Sequence, residues 1–329
     1  MKTIALFFGG PSNEHEVSIM SAGNVVKYFD YGRYKLILIY WHKKDRRFYK
    51  IKNIDKLKIS AKNRIGVEDF SRLFDVALLM THGRYGEDGI LQAVLDSQKI
   101  KYCGCRVLSS AVCMDKAIFK NLLTADKINQ TGYAVLDYQI DSSAELLRRR
   151  NKACRDFKFP LYVKPANSGS SVGISKITKP AQLATAVKNA LKHDKKIVIE
   201  EGLVNPREIE VAVLGNEKLL VSRPGELRLA KDFYDYDDKY KKGEAQMIVP
   251  AAIDPTQTEK IRALAARAYR LADCRGFARV DFLIAKNKIY LNEINSLPGF
   301  TDISMFPMLM MDQGMSYREL LNKIIALAY

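Results

Sequence analysis

A chain of 329 residues, 47% of them hydrophobic, has room for two or three packed units and an ordinary globular composition. No apolar run approaches the ~18–20 residues of a membrane span, so membrane insertion is excluded. The opening MKTIALFFGG reads as a first buried strand stopped by two glycines rather than a secretory leader. The net charge of +16 raises nucleic-acid binding. The basic residues lie in short scattered clusters (Lys43-Lys44, Arg148-Arg149-Arg150, Lys195-Lys196, Lys241-Lys242) without an aromatic-interleaved motif, so solvated faces are expected and no nucleic-acid partner.

In chain order, Thr3–Phe8 is an apolar strand, and the polar run Ser12-Asn13-Glu14-His15-Glu16 offers a cap for a helix to about Phe29. Strands follow at 35–40 and 75–80, the latter running into His82-Gly83-Arg84-Tyr85-Gly86-Glu87-Asp88-Gly89, then a helix at 90–98. Strands alternating with helices predict a parallel sheet whose carboxyl-edge loops, carrying Glu14 and His82, form a site. Residues 41–72 carry no usable signal. The five cysteines are odd in number, and Cys103-Gly104-Cys105 is too tight for a zinc knuckle, so reduced thiols in a cytoplasmic protein are expected.

A second unit opens near residue 105 with a helix carrying Met114-Asp115-Lys116, then a strand at 159–164, a Ser/Gly loop, a strand at 174–177 and a helix at 180–192. The apolar Ile197-Val198-Ile199 ends at Glu200-Glu201, where a third unit begins. It has strands near 208–214 and 219–221, a polar stretch at 232–245 and a helix at 257–272. A hairpin and a closing helix from Ser316 complete it. The expected units are 1–104, 105–200 and 201–329.

Two features carry chemistry. In 289–295, Glu293 and Asn295 leave one face of a strand. If Lys286-Asn287-Lys288 forms a three-residue hairpin loop, Asp281 falls opposite Glu293 and Arg279 opposite Asn295. A two-residue loop would shift the register by one and part them. The first register gathers oxygen ligands suited to Mg²⁺ shared with phosphates. The loop Ser168-Gly169-Ser170-Ser171-Val172-Gly173, between strands, can cradle phosphate oxygens with its N–H groups, and Lys164 can supply a point charge. It is neither a Walker A loop nor a GxGxxG fingerprint, since no helix follows directly.

These motifs, with Ser-x-Glu-His-Glu-Val-Ser (12–18), His-Gly-Arg-x-Gly-Glu-Asp-Gly (82–89), Met-Asp-Lys (114–116), Val-Lys-Pro (163–165), Gly-Ser-Ser-Val-Gly (169–173), Tyr-Asp-Tyr-Asp-Asp-Lys-Tyr (234–240), Arg-Val-Asp (279–281) and Asn-Glu-Ile-Asn-Ser-Leu-Pro-Gly-Phe-Thr (292–301), closely resemble the D-alanine–D-alanine ligases of the ATP-grasp superfamily. The resemblance runs in order from residue 4 to the C-terminus. It implies an α/β fold, an N-terminal Rossmann-like parallel-sheet domain followed by a two-part ATP-grasp fold. It also implies two D-alanine substrates joined through an acyl phosphate for peptidoglycan precursor synthesis, and a homodimer.

By the same resemblance, ATP binds with two divalent ions, Mg²⁺ or Mn²⁺, on Asp281, Glu293 and Asn295. Lys116 and Lys164, with Ser170 and Ser171, hold the phosphates. The segment Glu200, Glu201 and Leu203 reads adenine, and Glu208 holds the ribose. Arg279 and the Gly299 N–H form an oxyanion hole. Glu14 and His82 hold the first substrate, Ser304 and Lys239 the second. Ser170, Tyr240 and Glu14 form a trio that couples the phosphate loop to a mobile loop. Ser168, Glu201 and Ser296-Leu297 depart from the family pattern without removing a catalytic group. Lys239-Tyr240 and Ser304-Met305 favour D-alanine over D-lactate or D-serine as second substrate.

Overall fold

The computed structural model describes residues 1–228 and 246–329. Strands β1 (Lys2–Gly9), β2 (Tyr34–Trp41), β3 (Phe48–Ile51), β4 (Arg64–Ile65), β5 (Val76–Leu79) and β6 (Lys101–Tyr102) form a sheet in the order β4-β3-β2-β1-β5-β6. Its centre, β2-β1-β5-β6, is parallel. β1 is buried from Ile4 to Gly9 without alternation, as a strand covered on both faces must be. The antiparallel β3 and β4 fall in the stretch where no element was expected. They are short and are held by rings that meet only in the fold: Phe7 packs on Phe48, Phe70 and Phe74 at 5.4–5.8 Å.

The loops after β1 and β5 emerge at one edge, and the first helix, His15–Tyr28, ties them together. Gly9 N–H donates to Ser18 Oγ at 2.7 Å, and the Ser18 hydroxyl donates to the Met80 carbonyl. The polar run 12–16, expected to supply the cap, does so only in position. Glu14 stands at the cap position, but its carboxylate makes no capping bond.

The helix expected through Met114-Asp115-Lys116 is two helices, Val107–Met114 and Lys116–Ala125. Asp115 breaks it because its Oδ1 accepts the N–H groups of Ala117 and Ile118, opening a new helix at Lys116. Strands β7 (Tyr133–Asp137), β8 (Leu161–Pro165), β9 (Ser175–Ile177) and β10 (Lys196–Glu201) form an antiparallel sheet in the order β7-β10-β8-β9. One face packs on helices Ser143–Asp156 and Leu183–Ala190, the other on Lys116–Ala125.

The third sheet contains β11 (Arg207–Leu214), β12 (Leu220–Val221), β13 (Gly225–Arg228), β14 (Gln246–Ile248), β15 (Phe277–Ala285) and β16 (Lys288–Asn295). It runs β14-β13-β11-β15-β16, with β12 also on β11. The β15–β16 loop corrects the expected register argument. Ala285 pairs with Lys288, so the loop has two residues, Lys286 and Asn287, both at positive φ as a two-residue hairpin turn requires. That alone would part the polar pairs. A bulge at Asn292 restores them, since Phe282 pairs with Leu291 while Asp281 pairs with Glu293 and Arg279 with Asn295.

Helices Met305–Asp312 and Tyr317–Ala326 return to the first unit. Tyr317 stacks on Tyr28 at 4.6 Å, and Phe300, Phe306 and Leu320 join the core of the first sheet. The segment 296–304 is therefore held from both ends of the chain.

Candidate active site

One cleft is lined by the second and third sheets, by the loops after β1 and β5 of the first unit and by the loops between these units. Glu14 reaches it from the first unit and Ser170 from the loop between β8 and β9. The Ser170 hydroxyl donates to Glu14 Oε1 across 156 positions of sequence. Ser170 and Ser171 both hold left-handed backbone (φ 47° and 58°), a conformation costly for non-glycine residues, which aims the loop at the cleft. Gly169 has space for no larger residue without crowding Glu14, whose Oε2 would lie 3.0 Å from an added Cβ.

Gly83 (φ 75°) closes the other side, and a Cβ there would collide with Glu14 Oε2. Gly83→Ala is therefore expected to lower stability by about 1–3 kcal/mol and to displace the Glu14 carboxylate. Urea denaturation checks the first effect, and a crystal structure of the variant the second. A variant unchanged in both shows that Glu14 is not held there.

Glu87 is a member of this site that the sequence reading passed over. It lines the cleft, half-buried, and its oxygen would lie 3.8 Å from a Cβ on Gly169, beside Glu14. Burial first, and then the Glu14 charge, push its carboxyl well above the usual range, while a Gly83 N–H bond and Lys116 oppose the rise. The folded chain thus holds a proton that the unfolded chain releases near pH ~4.3. Below that pH the group is neutral in both states. As pH rises toward the folded value, the folded state binds more protons and loses stability. Glu87→Gln removes this loss, so its melting temperature is expected to gain on the native chain between pH 4 and 7. Parallel melting curves across that range would disprove the shift.

His82 lies on the cleft wall, 4% exposed, with both ring nitrogens engaged. Nδ1 meets the Leu297 carbonyl at 3.0 Å, so it carries the proton, and Nε2 accepts from the Ser21 hydroxyl at 2.9 Å. Burial lowers its pKa, which keeps this neutral tautomer. Ser21 Oγ in turn accepts from Phe300 N–H at 3.2 Å. His82 thereby fixes the backbone on both sides of Gly299.

Lys116, first residue of its helix, donates to the Ser168 carbonyl at 2.7 Å and lies 4.0 Å from Glu293. Lys164 donates to Glu200 Oε2 at 2.5 Å. Glu201, Leu203 and Glu208 line the far end of the cleft with Gly202. Glu201 accepts from Lys158 N–H at 3.4 Å, and the Gly202 N–H is taken by Pro160 O at 2.8 Å.

Arg279 is the centre of the opposite wall. Its guanidinium grips both Asp281 oxygens at 2.7 Å and meets Glu210 at 3.0 Å. Glu210, another residue not singled out in sequence, is placed by β11, where it stands opposite Asp281. Asn295 Nδ2 donates to Asp281 Oδ2 at 2.7 Å, leaving its carbonyl oxygen as the end that suits a cation. Asp281, Glu293 and Asn295 share one face of the hairpin and line the cleft. Among the described residues no three acidic, His or Cys side chains converge into a closed metal cage. Two carboxylates and an amide suit an ion that brings water and phosphate oxygens with it.

Gly299 and Ser304 complete the site. Ser304 Oγ accepts from Thr301 N–H at 2.9 Å and would lie 2.8 Å from a Cβ on Gly299. Lys239 and Tyr240 lie outside the described residues. The five cysteines are free thiols.

Residues 3–105 match the family profile described as D-ala D-ala ligase N-terminus, and residues 122–326 that described as D-ala D-ala ligase C-terminus. The chain is 41% identical to the D-alanine–D-alanine ligase of Caldicellulosiruptor bescii, covering 99% of this chain and 94% of that protein. It is also 41% identical to the D-alanine–D-alanine ligase of Clostridium novyi, covering 99% and 98%. Among solved structures, the VanG D-Ala:D-Ser ligase of Enterococcus faecalis superimposes with a TM-score of 0.88 at 30% identity, over 100% of this chain and 99% of that one. The D-alanine–D-alanine ligase of Coxiella burnetii gives 0.83 at 30% identity, over 99% and 93%.

Proposed function

This chain belongs to the D-alanine–D-alanine ligase family, and we propose on that footing that it joins two D-alanine molecules at the expense of ATP. The γ-phosphoryl group of ATP passes to the carboxylate of the first D-alanine, releasing ADP. The amine of the second attacks the acyl phosphate, and the tetrahedral intermediate expels phosphate to leave D-alanyl-D-alanine, a peptidoglycan precursor. The observation that carries this reading is one cleft that holds Glu14 with Ser170, Lys116, Lys164, Arg279, the Asp281/Glu293/Asn295 face, Gly299 and Ser304.

In this reading Glu14 receives the ammonium of the first substrate. Its bond with Ser170 joins that pocket to the loop over the phosphates, which Ser171 helps to cradle. Lys116 and Lys164 hold the phosphates, Glu200, Glu201 and Leu203 flank the adenine, and Glu208 meets the ribose. Asp281, Glu293 and Asn295 would hold two divalent ions, Mg²⁺ or Mn²⁺, whose charge would offset that of the triphosphate when bound. Arg279 and the Gly299 N–H stabilise the oxyanion of the tetrahedral intermediate. His82 keeps Gly299 in place for that bond. Ser304, with Lys239, takes the second carboxylate, and Tyr240 completes the Glu14–Ser170 trio. Closure of this cleft would keep water from the acyl phosphate.

The units divide after residues 104 and 200, the chain works as a homodimer, and it acts in the cytoplasm. Light scattering tests the dimer. For the reaction, ADP release is measured with Mg²⁺-ATP and D-alanine, alone or mixed with D-serine or D-lactate, with products identified by mass. Dominant D-alanyl-D-alanine supports the reading, a dominant mixed product overturns the second-substrate assignment, and no turnover overturns the whole.

A further inference from the structure

The mechanism above leaves the buried charge of Lys120 unused. Lys120, on the helix Lys116–Ala125, is 1% exposed, and its Nζ lies 3.1 Å from Glu200 Oε1. The same ammonium reaches Thr131 Oγ1 at 3.3 Å and Gln130 Oε1 at 3.5 Å. Lys164 takes the other carboxylate oxygen of Glu200. One buried carboxylate thus stands between two ammonium groups, one on each oxygen.

The fold imposes this arrangement. Val198 pairs with Lys164 and Glu200 with Tyr162 in the β8–β10 ladder, so Lys164 and Glu200 are diagonal neighbours on one face. The helix Lys116–Ala125 covers that face, with Ala117 against Val198. Lys116 and Lys120, four apart, project from the same side of it. Both therefore face the region assigned to phosphates, but only Lys116 lines the cleft itself.

The formal charge of the three groups is +1. Without Lys120 it would be zero, and Lys164 could turn to a phosphate only by abandoning a buried carboxylate, a strongly unfavourable step. Burial pushes the Glu200 carboxyl up, yet Lys120 and then Lys164 bring it down to about 2. The carboxylate therefore keeps its charge and needs a cation at every stage of the cycle. Space-filling alone would be met by an apolar side chain at this depth.

We propose that Lys120 is a positioning residue for nucleotide binding: as the standing counter-ion of Glu200, it frees Lys164 to engage the phosphates of ATP. This rests on the assignment of Lys164 to those phosphates. The test measures dissociation constants of ADP, which carries phosphates, and adenosine, which does not. They are compared for the full native chain and for Lys120→Met, Glu200→Gln, the double variant and Lys164→Met.

Lys120→Met is expected to weaken ADP about tenfold or more, within the range of coupled buried groups, and adenosine by less than about twofold. The KM for ATP rises, and that for D-alanine stays in place. In the Glu200→Gln background no carboxylate detains Lys164, so Lys120→Met should change ADP affinity by less than about threefold. The double variant removes both buried charges together and guards against a merely misfolded single variant. Unchanged ADP affinity in Lys120→Met overturns the proposal. So does an equal loss in both backgrounds, or an equal loss for ADP and adenosine. If ADP affinity survives Lys164→Met, the phosphate assignment falls, and this proposal with it. Loss in Lys164→Met without loss in Lys120→Met removes the role of Lys120 alone.

Discussion

Arg279→Ala is expected to cost stability and rate together, the largest combined effect in the molecule. The guanidinium is 17% exposed and pairs with both Asp281 and Glu210, whose side chains are 13% and 10% exposed. Removing it leaves two largely buried carboxylates facing each other across β11 and β15, a loss of about 3–5 kcal/mol by comparison with other broken buried pairs. The rate of dipeptide formation should fall a further ~10²–10³-fold, the usual loss for an oxyanion donor. Chemical denaturation reads the first effect. Single-turnover formation of product, at a temperature where the variant is folded, reads the second. Arg279→Lys divides them, since lysine keeps the charge but cannot fork onto both Asp281 oxygens. It should recover more stability than rate. A folded Arg279→Ala chain within tenfold of native turnover would remove Arg279 from the chemistry and leave it a strut of the third sheet.

Glu293→Gln has the opposite profile. Its side chain is 36% exposed and lies 4.0 Å from Lys116, so stability should change by less than about 1 kcal/mol. On the proposed assignment of Glu293 to the divalent ions, turnover should fall about 10³-fold, since charge stabilisation of a transferring phosphoryl group is worth several kcal/mol. The amide keeps the shape and loses the charge, which makes the comparison clean. The variant is checked by its melting temperature and by ADP release as a function of Mg²⁺ concentration. A native rate at native Mg²⁺ would exclude Glu293 from the ion's surroundings.

Much of the site was legible along the chain because its parts are local. Glycine-rich turns, a Gly-Ser-Ser loop between strands and two carboxylates in neighbouring strand-like runs each express a short-range constraint on backbone or charge. The register of the last hairpin shows the limit. The pairs Asp281–Glu293 and Arg279–Asn295 were anticipated, but through a three-residue turn. The chain uses a two-residue turn and a bulge at Asn292, two opposite shifts that cancel. The side-chain period of a strand reports which face a residue takes, and it cannot separate those two routes. The break at Asp115 was hidden for a related reason. Helical periodicity continues across it, while the competing bond from its own side chain is a local choice settled by packing.

By itself the sequence determined the class of fold, the family and the residue types that meet at the cleft. Alternation of apolar runs and the order of the motifs survive any reasonable error in element ends. Only the tertiary structure decided how the charges are shared. It set Glu14 against Ser170 and Glu87 beside Glu14, spent both nitrogens of His82 on protein partners, and closed Glu200 between Lys120 and Lys164. These partners come from segments far apart in the chain. Whether a carboxylate is solvated, paired or protonated depends on which groups the packed core brings within a few ångströms of it, and no pattern along one strand or helix records that.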